Sequence, residues 1–184
     1  MGRLSLSCVV ILLFSFGAVE SAQKDAKSKP ILKLNQTDYL HRWSQNDQHE
    51  FTPRGQEDLQ KWTDMLTVNV YRQVTEGEGL ALAANQVLER YKSQQARVLR
   101  TDSVPRTAER PAEHLIVVVF GRPTFLEAVL ARFKLVGGKG ASIIYSHRVY
   151  GKEVGPQMST WLRDNGPAME KALMALELAS VDNF

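Results

Sequence analysis

His114-Leu115-Ile116-Val117-Val118-Val119-Phe120 is an almost unbroken apolar run of strand length that stops at Gly121. Without polar alternation it has no side to offer water, so the strand it forms must be covered on both faces. Helices on both sides of a sheet meet that demand, and the chain supplies them. Leu80, Ala83, Ala84, Val87, Leu88 and Tyr91 recur at steps of three and four after Glu76-Gly77-Glu78-Gly79, the stripe of an amphipathic helix of about five turns. Met158, Leu162, Met169, Leu173 and Leu176 mark a C-terminal helical region, in which Asn165-Gly166-Pro167 predicts a kink or a break between two helices.

The sheet is drawn from the rest of the chain. Tyr39 to Trp43 and His49 to Phe51 flank the polar cluster Ser44-Gln45-Asn46-Asp47 and predict a short hairpin. Leu66, Val68 and Val70 alternate with Thr67 and Asn69, a strand with one buried face, and Val98 to Val104 adds another. Leu126 to Val136 and Ser142 to Tyr150, joined by Gly137-Gly138-Lys139-Gly140, predict a long antiparallel hairpin; a helix is the rival for the first arm, where Leu126, Val129, Leu130 and Phe133 also fit helical spacing. Thr52-Pro53, with Glu57 and Asp58 close behind, predicts one more helix, running to about Trp62.

These elements imply an α+β fold: a mainly antiparallel sheet with helices packed on its faces. In layout the chain resembles the small α/β/α sandwich family that includes Mog1, the photosystem accessory protein PsbP and the envelope protein DcrB. The resemblance runs from about Tyr39 to Leu178 and rests on the strand Leu66 to Tyr71, the helix after Gly79, the glycine hairpin and the final helix. It carries no motif, so it transfers no functional residue; it implies a binding or assembly factor rather than an enzyme.

The first 21 of the 184 residues read as a secretory signal, with Arg3 before an apolar run from Leu4 to Val19 and cleavage expected before Ala22. Residues 22–36 read as a flexible linker and 37–184 as a single globular domain. The expected location is therefore periplasmic or secreted, without stable membrane insertion once the signal is removed. The sequon Asn35-Gln36-Thr37 has meaning only with a eukaryotic secretory machinery. Cys8, inside the signal, is the only cysteine, so the remaining chain has no thiol chemistry, no disulfide and no cysteine metal ligand.

Lys and Arg number 23 against 20 Asp and Glu, and the signs are interspersed. Arg97, Arg100, Arg106 and Arg110 are interrupted by Asp102 and Glu109 and lack interleaved aromatics, so nucleic acid is not an expected partner. Chemistry is equally hard to assemble. His41 and His49 with Glu50 form the only metal-site candidate, and they read instead as two histidines on a wet hairpin. Ser146 and His147 are adjacent in a strand and point to opposite faces, and no Gly-x-Ser-x-Gly elbow is present. The glycine-rich turn lacks the Lys-Ser/Thr and helix of a phosphate loop, and Glu76 and Glu78 suit a helix entrance on dipole grounds alone. No catalytic residue, metal ligand or cofactor is assigned.

What remains is binding to another protein. Within the set Tyr39, His41, Trp43, Arg148 and Tyr150, strand parity forbids a single patch; Trp43 and Trp62 are expected to be at least partly buried, leaving Arg42, Arg148 and Tyr150 as candidate partner contacts. The expected function is a non-enzymatic, exported protein-binding protein, such as a toxin inhibitor, an immunity protein or an envelope assembly factor. The alternative is a small periplasmic hydrolase or small-ligand-binding protein with its site between sheet and helix, for which His114 or His147 beside an acidic partner in a deep cleft would be the mark.

Overall fold

A computed structural model describes residues 31–182. The expected signal and most of the linker lie outside the described residues. The sheet has eight strands, in the order β1-β2-β3-β4-β8-β7-β6-β5, and every pairing is antiparallel. The strands are β1 (Leu32–Leu34), β2 (Thr37–Gln45), β3 (Gln48–Pro53), β4 (Asp64–Tyr71), β5 (Arg97–Val104), β6 (Glu113–Gly121), β7 (Phe125–Val136) and β8 (Lys139–Tyr150). The helices are α1 (Gly77–Ser93), α2 (Val154–Asp164) and α3 (Gly166–Ala175).

The apolar run is β6, and it is covered on both faces. Leu115 and Val117 join Leu66, Val68, Leu130, Ile143 and Tyr145 under Met169 and Leu173 of α3, whereas Ile116, Val118 and Phe120 join Val129 and Phe133 under Leu80 and Ala84 of α1. The rival for residues 126–136 loses because strand β7 lies between β6 and β8, where a helix could offer no ladder.

Two turns at the same end of the sheet, beside the end of β4, set register. Asn46 and Asp47 have φ of 50° and 63°, and Gly137 and Gly138 have 57° and 77°, left-handed pairs that match the twist of a two-residue hairpin. Lys139 and Gly140 already belong to β8, so the turn is shorter than the glycine cluster suggests. Gly140 is small for a different reason. Its N–H donates to Val74 O at 2.6 Å, and a Cβ there would sit 2.8 Å from Val74 Cβ and Cγ1. Gly140→Ala is expected to cost about 1–3 kcal/mol by overpacking; an unchanged urea midpoint would show that the Val74 loop yields freely.

Three expectations need correction. Residues 54–63 contain no α-helix. Only Trp62 in that stretch is buried, too little for a helical stripe, and side chains organise a loop instead. Gln56 Oε1 accepts the N–H groups of Thr63 and Asp64, and Thr52 Oγ1 donates to Gln56 O. Residues 32–34, read as linker, form edge strand β1, because Leu32 and Leu34 are buried in the core beneath α3. Trp43, expected to be partly buried, is 37% exposed, while Trp62 is 4% exposed. A bulge between His41 and Trp43 pairs Trp43 with Glu50, which moves it to the face opposite Tyr39 and His41.

Candidate functional site

Strand parity divides the sheet into the α3 face and the α1 face, and the candidate contacts Arg42, Arg148 and Tyr150 all fall on the second. Helix α1 packs on β6 and β7. Beyond it, over β2, β3 and β4, this face is covered by no helix among the described residues. Arg42 and Arg148 are separated by three strand spacings, about 14 Å.

Arg148 is the centre of this face. Its guanidinium lies 3.8 Å from the ring centroid of Trp62 and 4.2 Å from that of Phe125, and its Nε donates to Glu127 Oε2 at 2.9 Å. Both ring faces and the carboxylate attract the cation, so the side chain is locked and half-buried rather than free. Tyr150 donates to Trp62 O at 2.8 Å and packs beside Phe125, which ties the loop 54–63 to β8. Arg42 donates to Thr52 Oγ1, Pro53 O and Glu57 Oε1. Glu50, between the two arginines on β3, has its carboxyl raised by burial, against the pull of the Gln48 amide and the Arg148 charge. The patch is therefore a rigid mosaic of rings and paired charges, with Trp43 as its most exposed large side chain. The sequence flagged Arg42, Arg148 and Tyr150; Trp62, Phe125 and Glu127 were missed, because they come from a loop and from β7.

The opposite face carries a second cluster, around His147, which the sequence named without its acidic partner. Asp64 pairs directly across β4 and β8 with His147, whose Nδ1 is 3.0 Å from Asp64 Oδ1; Tyr145 donates to the same oxygen at 2.6 Å. Trp161 of α2 stacks on the His147 ring, 4.0 Å between centroids and 7° between planes. Burial opposes ionisation of Asp64, but the hydrogen bonds from His147 and Tyr145 outweigh it and hold the carboxyl below its usual range; burial and that same charge push the Tyr145 hydroxyl far up. This is an acid and histidine pair between sheet and helix, yet the cleft it would need is filled by the Trp161 ring.

His114 presents the reverse case. It lines a cavity of about 500 Å³ between α1 and β5, with Asn85, Asp102 and Ser103. Its Nδ1 is 2.9 Å from Ser103 Oγ, its Nε2 is buried without a partner among the described residues, and burial lowers its pKa. Among the described residues no hydrogen bond to a carboxylate orients it. His41 and His49 share the α3 face, linked through Ser44 Oγ at 2.6 and 2.7 Å, while Glu50 lies on the other face. Among the described residues no three His, Cys, Asp or Glu side chains converge as a metal site, and no helix is long and apolar enough to cross a membrane.

No protein-family model matches the chain, and no curated protein matches it in sequence. Solved structures do. One is the Ran-binding protein Mog1p of Saccharomyces cerevisiae, 10% identical, covering 85% of this chain and 98% of that one with a TM-score of 0.48. Another is a mutant of protein Mog1, 11% identical, covering 84% and 97% with a TM-score of 0.50. These neighbours, a Ran-binding protein of yeast and its Mog1 namesake, overturn the expectation of a periplasmic or secreted protein. That expectation rested on residues 1–21 alone, and nothing in the folded domain carries it. At such identity the likeness concerns fold only: the chain has a Mog1-like α+β fold, shared in layout and not in any motif.

Proposed function

We propose that this protein is a non-enzymatic, protein-binding α/β/α sandwich, acting as an inhibitor or assembly factor, and that it binds its partner through the sheet face bearing Trp43, Arg42, Arg148 and Tyr150. The observation that carries the reading is that, among the described residues, this face has no helix over β2 to β4 and yet holds exposed Trp43 next to partly buried Arg42, with partly buried Arg148 three strands away. Aromatic and Arg side chains already fixed in place lose little entropy on binding, which is the character of an interface hot spot. The Mog1p neighbour is itself described as Ran-binding, which is in keeping with a protein partner here.

The test is capture of a stoichiometric partner from host extract by the wild-type chain, followed by titration of that partner with Trp43→Ala and Arg42→Ala. Loss of a central anchor is expected to weaken binding by about 30-fold or more. Affinity unchanged in both variants, with unaltered melting temperatures, would remove this face as the interface.

A further inference from the structure

The uncovered part of the α1 face presents two rows of side chains. Register sets Trp43, Glu50 and Thr67 side by side across β2, β3 and β4, and Gln45, Gln48 and Asn69 side by side in the next row toward the β2–β3 turn. The rows lie about 6.8 Å apart along the strands, and neighbours within a row about 4.8 Å apart. Hydrogen-bond donors are in excess here. Trp43, Gln45 and Thr67 have no side-chain partner among the described residues, which leaves an indole N–H, an amide and a hydroxyl unused. Gln48 and Asn69 each commit one amide hydrogen, to Glu50 Oε1 at 2.9 Å and to Ser142 Oγ at 3.0 Å, and keep the other. Neither row contains a basic side chain, and the flanking Arg42 and Arg148 are already paired with Glu57 and Glu127.

Charge and donor count together select the occupant. An acidic segment would meet the Glu50 carboxylate with no free cation to offset it, and a helix or a strand already in a sheet has its carbonyls engaged in its own ladder. A polyproline II segment is the complement: it is uncharged, makes no internal hydrogen bonds, and its prolines offer carbonyls without N–H groups. Its repeat also fits. At three residues per turn and 3.1 Å per residue, carbonyls on one side recur about every 9.3 Å. Gln45 on β2 and Asn69 on β4 are two strand spacings apart, about 9.6 Å. The exposed Trp43 ring in the adjoining row gives the proline rings a flat apolar surface. We propose that Trp43, Gln45, Thr67 and Asn69 bind a proline-rich segment of the partner, laid across β2, β3 and β4 as a polyproline II helix.

This rests on the reading of the face as the partner interface and names the chemistry of what docks there. The probe is fluorescein-labelled decaproline, which offers a carbonyl in every register, titrated with the full chain and followed by anisotropy. A Gly-Ser decapeptide, equally uncharged but flexible and rich in N–H groups, is the control. Saturable binding of decaproline and none of the control is expected. Trp43→Ala is expected to weaken it by about tenfold or more, and Gln45→Ala, which removes one donor from an exposed position, by about threefold. Circular dichroism identical to wild type secures the fold of each variant. Decaproline bound no better than the control, or bound equally by Trp43→Ala, would overturn the proposal. A captured partner that loses affinity with Trp43→Ala while decaproline fails to bind would leave the face an interface and show that its occupant is a helix, a strand or a loop of other composition.

Discussion

Replacing Arg132 with methionine is expected to lower stability by about 3–5 kcal/mol, the largest loss from any single charged residue here. Arg132 is 2% exposed, on β7 beneath the end of α3. Its Nε and Nη2 donate to the two oxygens of Glu113 at 2.7 and 3.0 Å, and its Nη1 donates to Leu173 O and Leu176 O at 3.0 and 2.7 Å. Leu173 lies in the last turn of α3, where its carbonyl also accepts the Leu176 N–H, and Leu176 is the residue that caps the helix. One guanidinium therefore fastens the helix end to the sheet and balances a half-buried carboxylate. Methionine fills much of the volume but removes the guanidinium donors from the Glu113 carboxylate and from the carbonyls at the end of α3. Arg132→Lys keeps the charge without the planar fork and is expected to fall between. Urea unfolding followed by circular dichroism measures both; a loss below about 1 kcal/mol in Arg132→Met would place this cluster among weak surface pairs.

The second large effect is expected at Asp64. Asp64→Asn weakens the acceptor for Tyr145 and His147 and is expected to cost about 1–3 kcal/mol near neutral pH. The pH dependence carries the sharper signature. The folded carboxyl titrates below its unfolded value of about 3.9, so its contribution is fully present above that pH and disappears as pH falls through the folded value. Wild type should thus lose stability steeply on the acid side, and Asp64→Asn should flatten that limb. Equal acid slopes in the two proteins would mean that other carboxylates govern acid unfolding.

Much of the architecture was legible because it follows from local periodicity. The unbroken run in β6, the stripe of α1 and the alternation in β4 each report burial on a known number of faces, and the hairpin of β7 and β8 followed from the glycines at its turn. The helix expected after Pro53 shows the converse. A capping residue, a proline and early acids are entry signals, but without a buried stripe behind them the side chains of Thr52 and Gln56 satisfied the backbone as a loop. Trp43 was misplaced by one bulge, since strand parity propagates only through an unbroken register.

The candidate site was legible only in pieces. Arg148 and Tyr150 attracted notice as residue types, yet the rings that hold Arg148 come from Trp62 and Phe125, which only the assembled sheet and its loop bring together. Asp64 and His147 meet because β4 pairs with β8 across the sheet's middle, 83 residues apart in the chain. By itself the sequence determined the types of the strongly periodic elements, the two-sided burial of β6 and the absence of cysteine chemistry beyond Cys8, because these depend on nearest neighbours and composition. Tertiary structure alone decided strand order, which face stays uncovered, the burial of Arg132 and the edge position of β5, because each is set by contacts between residues that no local period relates.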